Sequence, residues 1–148
     1  MAKRILVALD RTPPPAELLD LVNDAARAGG AVVRLLHVAP LTEDVIRADG
    51  HVIAYSSDEA DRVEAESLAR LRTVELHFGG VPTESVVRFG NAADEIVREA
   101  ERFGADLIAM KGRGRAGVSR LIFGSVAEEV ARRAPATVVL VRPSMPAW

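Results

Sequence analysis

Ile5-Leu6-Val7-Ala8-Leu9-Asp10-Arg11-Thr12-Pro13-Pro14-Pro15 runs from five apolar residues through a polar turn into three prolines. A short, unbroken apolar run reads as a strand buried on both faces of a parallel sheet. Consecutive prolines fit only at or before the first turn of a helix, because each lacks a backbone N–H. Leu18, Leu19, Val22, Ala25 and Ala26 follow at helical spacing, and Gly29-Gly30 stops that helix. The opening is thus strand, turn, helix.

The same unit recurs along the chain. Val32–Val38 reads as a second strand, and Pro40 to Tyr55, without a sustained period, reads mostly as loop. Ser56-x-x-Glu59 has the form of a capping box and opens a long helix to about Phe78, with Val63, Leu68, Leu71 and Val74 as its core stripe. Glu84–Phe89 is the third strand. Asn91 caps a helix to Phe103 closed by Gly104, and Ala105–Met110 is the fourth strand. A glycine-rich stretch, Gly112–Gly124, leads to a helix over Val126–Ala134, and after Pro135 the fifth strand is Thr137–Arg142. Strands alternating with helices predict one α/β domain over residues 1–148, an open five-stranded parallel sheet with helices on both faces. Ligands of such sheets bind beyond the carboxyl ends of strands where the strand order reverses. Order 3-2-1-4-5 would make the loops after strands one and four neighbours, order 2-1-3-4-5 would not, and periodicity does not choose between them.

Composition excludes several classes. With 148 residues, 49% hydrophobic and 27% charged, the chain holds one core and is neither disordered nor fibrous. Runs such as Ile5–Leu9 and Val138–Val141 are far too short for a membrane span, and the first residues lack a signal-peptide pattern, so a cytoplasmic location is expected. A net charge of −2 gives no drive towards nucleic acid or an anionic membrane, and the absence of cysteine removes disulfides, thiolate metal sites and a thiol nucleophile. His37, His51 and His77 lack metal-ligand spacing; His37 ends an apolar strand and reads as a packed, hydrogen-bonded residue. No G-x-S-x-G elbow is present, and Asp20/Asp24 and Asp58/Asp61/Glu64 read as exposed helix faces. No residue stands out as a catalytic base.

The chemistry concentrates after strand four. Lys111-Gly112-Arg113-Gly114-Arg115-Ala116-Gly117-Val118-Ser119-Arg120 holds four basic residues and no acid, and Lys3 and Lys111 are the only lysines among nineteen basic residues. Glycines let backbone N–H groups approach a phosphate, and a helix N-terminus favours negative charge; a solvated glycine loop is the plainer alternative. Ser125-x-x-Glu128 forms a second capping box and places the helix start at Ser125. Gly112-x-Gly114-x-x-Gly117 matches the dinucleotide fingerprint only in letters, because the helix is delayed and no acid follows at the next strand. The P-loop pattern is absent, since Lys111 precedes the glycines.

These residues resemble the universal stress protein family. Its signature is G-x-x-G, nine residues, then G-[ST], between strand four and the last helix; Gly114 and Gly124-Ser125 match its second part. The likeness continues through Ile5–Asp10, Leu35–Val38, Gly104–Ile108 and Ala134–Arg142. The departure is Lys111, where the signature has its first glycine. A lysine there supplies a phosphate contact as a point charge or fills the space a nucleotide needs.

The resemblance implies order 3-2-1-4-5, a Rossmann-like sheet of the adenine nucleotide alpha hydrolase kind, and a homodimer through strand 137–142. It implies ATP as ligand, with any Mg2+ held by the phosphates. Ala8, Leu9 and Asp10 would contact the adenosine half, and Val38 the adenine. Met110, Lys111, Arg113, Gly114, Gly124, Ser125, Val126 and Ala127 would cradle ribose and phosphates. A helix cap is the structural alternative for Asp10, and core packing for Val38 and Met110. The leading expectation is an ATP-binding stress-response module without enzymatic activity. The alternatives are a nucleotide-free member acting through protein contacts and, less favoured, a slow ATP hydrolase.

Overall fold

The computed structural model describes residues 2–40, 57–112 and 124–143. The elements are β1 (Arg4–Ala8), α1 (Ala16–Gly29), β2 (Val32–Ala39), α2 (Ser57–Glu75), β3 (Thr83–Phe89), α3 (Ala92–Phe103), β4 (Leu107–Lys111), α4 (Ser125–Arg133) and β5 (Thr137–Val141). All pairings are parallel, and the five strands lie in the order β3-β2-β1-β4-β5. The expected α/β domain and strand order are both present. The reading of Pro40–Tyr55 as loop, and Ser56 as a cap, fall on residues outside the described ones apart from Pro40.

Alternation along the strands splits the core into two layers. Ile5, Val7, Val33, Leu35 and Ala109 face one side, where Leu18, Leu19 and Val22 of α1 and Leu71 of α2 pack. Leu6, Leu36, Ile108 and Met110 face the other, against Ile96, Ala100 and Phe103 of α3 and Ala127 and Val130 of α4. Central β1 is apolar on both faces for this reason: Ile5, Leu6 and Val7 are wholly buried. No helix among the described residues is long and apolar enough to cross a membrane.

Helix ends follow local rules. Pro15 occupies the N-cap of α1, with extended backbone, and Ala16 begins the helix. Gly30 and Gly104 close α1 and α3 at φ 62° and 69°, a left-handed conformation that a side chain would strain. The long helix α2 ends at Glu75, three residues before the expected Phe78. There the Phe78 N–H turns back to the Glu75 carbonyl at 3.0 Å, and the ring enters the α1–α2 layer, 2% exposed.

One polar cluster holds α3 against the sheet. Glu99 is wholly buried and accepts hydrogen bonds from Arg34 of β2 and Arg88 of β3, each at 2.8 Å. Arg34 also pairs with Glu84 at 2.7 Å and lies over the Phe103 ring at 4.2 Å. Desolvation pushes the Glu99 carboxyl upwards, but the hydrogen bonds and charges of Arg88 and Arg34 outweigh it and hold it below the ordinary glutamate range. Its stabilising contribution is therefore full above the unfolded-state value and lost as pH falls through the lower native one. Glu99→Gln should lower stability by about 1–3 kcal/mol at neutral pH, read from urea midpoints. The gap to the parent protein should narrow on acidification to about pH 3. A gap that widens would contradict this pairing.

Candidate functional site

Between β2–β1 and β4–β5 the order of strands reverses, and the loops leaving β1 and β4 diverge at the carboxyl ends of the sheet. A cleft of about 350 Å³ opens there, within the size range of small-molecule sites, roughly 300–1,000 Å³. Ala8, Leu9 and Asp10 line it from β1, Val38 from β2, and Met110 and Lys111 from β4; Gly124, Ser125, Val126 and Ala127 line it from the start of α4. All of the expected site residues that are described meet in this one cleft. Arg113 and Gly114 lie outside the described residues.

Asp10 is not a helix cap, because Pro15 holds that position. Its carboxylate instead folds the turn after β1: Oδ1 accepts the Thr12 backbone N–H at 2.9 Å and the Thr12 hydroxyl. Lys111 reaches the same group from β4. Its Nζ lies 3.3 Å from Asp10 Oδ2 and donates to Thr12 Oγ1 at 2.8 Å. The ammonium therefore bridges the two strands that border the cleft. Partial burial pushes the Asp10 carboxyl upwards, but the two Thr12 hydrogen bonds and the Lys111 charge prevail, and it lies below the ordinary aspartate value.

The helix entrance differs from the expected capping box. Gly124, with extended backbone at φ −66° and ψ 160°, is the N-cap of α4, and no side chain caps it. Ser125 is the first helical residue and not the cap. The N–H groups of a first helical turn have no intrahelical acceptor and attract anions. By contrast, Asn91 caps α3 conventionally by accepting from the Asp94 N–H at 3.0 Å. The difference lies in side-chain length: Asn91 supplies the oxygen at the cap position, whereas Gly124 has none to offer.

Much of the wall was not evident in the sequence. Leu36, Ala92 and Ile96 line the cleft because α3 packs on the β1–β2 side, a tertiary arrangement that leaves no local mark. Pro14, Pro15 and Leu18 also line the cleft, as do Arg11, Thr12, His37 and Pro40. Thr12 had a readable signal in its position two residues after Asp10, an Asx-turn spacing. His37 is packed as expected: it is 5% exposed, and its Nδ1 donates to the Leu9 carbonyl at 2.9 Å, steadying the end of β1. Among the described residues, no cluster of three or more His, Cys, Asp or Glu groups could hold a metal ion.

Residues 1–142 match the model of the universal stress protein family. The chain belongs to that family. Among curated members, universal stress protein YxiE of Bacillus subtilis is 29% identical, the alignment covering 96% of this chain and all of that one. The solved structure of protein MJ0577 of Methanocaldococcus jannaschii superposes with a TM-score of 0.76 at 23% identity, covering 97% of this chain and 98% of the other. The universal stress protein of Archaeoglobus fulgidus, solved in complex with dAMP, gives a TM-score of 0.58 at 23% identity, covering 93% and 96%. These likenesses establish the shared Rossmann-like fold; family membership also agrees with the glycine and serine at positions 124 and 125.

The electrostatics of the cleft can be checked without any ligand. Lys111→Met keeps most of the side-chain volume and removes the charge, so the Asp10 carboxyl should titrate at a higher pH than in the parent protein. Carboxyl carbon chemical shifts followed by NMR would measure it, and an unchanged Asp10 titration would show that Lys111 does not face this carboxylate in solution.

Proposed function

We propose that the cleft binds an adenine nucleotide, ATP being the expected ligand, and that the protein serves as a cytoplasmic nucleotide-binding module of the stress response. The observation that carries this reading is the composition of one cleft. An apolar wall (Val38, Leu36, Ile96, Met110) suits a purine, and the uncapped start of α4 and the Lys111 ammonium suit phosphate. The dAMP complex of the Archaeoglobus fulgidus relative supports an adenine nucleotide as the ligand class. On this reading Ala8, Leu9, Asp10 and Val38 hold the adenosine half. Met110, Lys111, Arg113, Gly114 and Gly124 to Ala127 hold ribose and phosphates.

Denaturing freshly purified protein and separating any released nucleotide tests the reading directly. Stoichiometric ATP or AMP is expected, together with a rise in melting temperature on adding either nucleotide to emptied protein. Protein that releases none and shows no thermal shift at millimolar nucleotide would overturn it.

A nucleotide-free reading draws on one observation, that Lys111 projects into the cleft at the position where the family signature has glycine. Lys111→Gly separates the two readings, since binding that first arises in the glycine variant would identify the lysine as an obstruction.

The homodimer belongs to the same proposal. Among the described residues β5 is an outer strand, paired only with β4, and Val138 to Val141 are half-buried in the single chain. An apolar edge of this kind favours pairing with another copy through 137–142. Light scattering on the eluting protein should give twice the chain mass at micromolar concentration, and Val139→Lys should shift it towards monomer. A parent protein that is monomeric under those conditions would exclude the dimer.

A further inference from the structure

We infer that the Lys111 ammonium stands in for a divalent cation in this cleft, so that nucleotide binding by this protein does not require metal. The inference rests on the proposed nucleotide site and adds to it the means by which charge is balanced there.

A metal ion that accompanies a nucleotide is held by hard oxygens: carboxylate, hydroxyl and phosphate. Among the described side chains lining this cleft the oxygens of that type are the Asp10 carboxylate and the Thr12 and Ser125 hydroxyls, and Asp10 Oδ2 and Thr12 Oγ1 already lie beside Lys111 Nζ, at 3.3 and 2.8 Å. The other carboxylate oxygen, Oδ1, accepts the Thr12 N–H and hydroxyl. Among the described lining residues Asp10 is the one acid. A divalent ion approaching the carboxylate would thus meet an ammonium already beside it. While Lys111 is present, the one acid of the described lining faces a cation of the protein.

An ammonium carries three protons. Asp10 and Thr12 take two, which leaves one to offer a ligand oxygen. The two partners also hold the long side chain at the cleft, so part of its ordering is complete before a ligand arrives. Asp10 consequently orients a cation of the protein rather than a soluble one.

Calorimetric titration of ATP and AMP into the full chain, in excess magnesium and again in excess EDTA, tests this. The expected outcome is dissociation constants within about threefold of each other in the two buffers. Lys111→Met should bind ATP about tenfold more weakly in EDTA. Magnesium should restore most of that loss, because the Asp10 and Thr12 oxygens are released to a metal. Lys111→Arg, which keeps the charge, should remain indifferent to EDTA. A parent protein that loses about tenfold in ATP affinity in EDTA would overturn the inference while leaving the nucleotide site standing. So would a methionine variant that binds as tightly as the parent without metal. Failure of the parent to bind either nucleotide in both buffers would overturn the site itself and the inference with it. The parent comparison needs no variant, so it decides the matter even where a substitution impairs folding.

Discussion

The pairing of β1 with β4 is the constraint on which the rest depends. Ile5 lies beside Leu107 and Ala8 beside Met110, joining segments about a hundred residues apart in the chain. The pairing puts two apolar strands at the centre of the sheet, where each face is covered by helices and the backbone polar groups are met by the ladder. It also creates the reversal of strand order. Connections before β4 lead outward through β2 and β3, and those after it lead the other way, so the two flanking loops cannot close over the gap. The cleft is a consequence of that topology before any side chain contributes to it.

Side chains then give the cleft its character, through polar clusters on opposite sides of the sheet. Glu99, buried beneath Arg34 and Arg88, pins α3 to β2 and β3, and α3 in turn presents Ala92 and Ile96 to the cleft. A buried carboxylate is expensive to desolvate, and it is tolerated here because the guanidinium groups of Arg34, Arg88 and, at 3.5 Å, Arg102 satisfy it while keeping part of their surface in water. The two lysines mark opposite ends of the central strands. Lys3 donates to the Gly29 carbonyl at 2.6 Å and so answers the C-terminal end of α1, whereas Lys111 bridges to Asp10 at the functional end. In a chain that otherwise uses arginine, the two ammonium groups thus meet oxygens at opposite ends of the central strands.

Much of this architecture was legible in the linear chain because its determinants are local. Ile5 to Leu9 reads as a doubly buried strand, Pro13 to Pro15 admit only a helix start, and Gly30 and Gly104 supply the left-handed turns at which α1 and α3 end. Where local rules compete, the sequence alone misplaced the outcome. Ser125-x-x-Glu128 places the helix start correctly at Ser125, but the cap is Gly124 and not the serine that the capping box names. Phe78 continues the periodicity of α2 but lies three residues beyond its end, with its ring buried in the same layer as Leu71.

By itself, then, the sequence determined the alternation of strands and helices, the apolar faces that sort into two layers, and the glycine, serine and arginine content of the segment after β4. Those follow from periodicity and backbone preference, which act over a few residues. Only the tertiary structure decided that Lys111 meets Asp10 and Thr12, that α3 supplies a wall of the cleft, and that Glu99 is enclosed by arginines. Such contacts depend on which strands become neighbours, and a charge carries no local periodicity to announce its partner. Strand order, a global compromise between burying apolar faces and closing the chain, selects those partners.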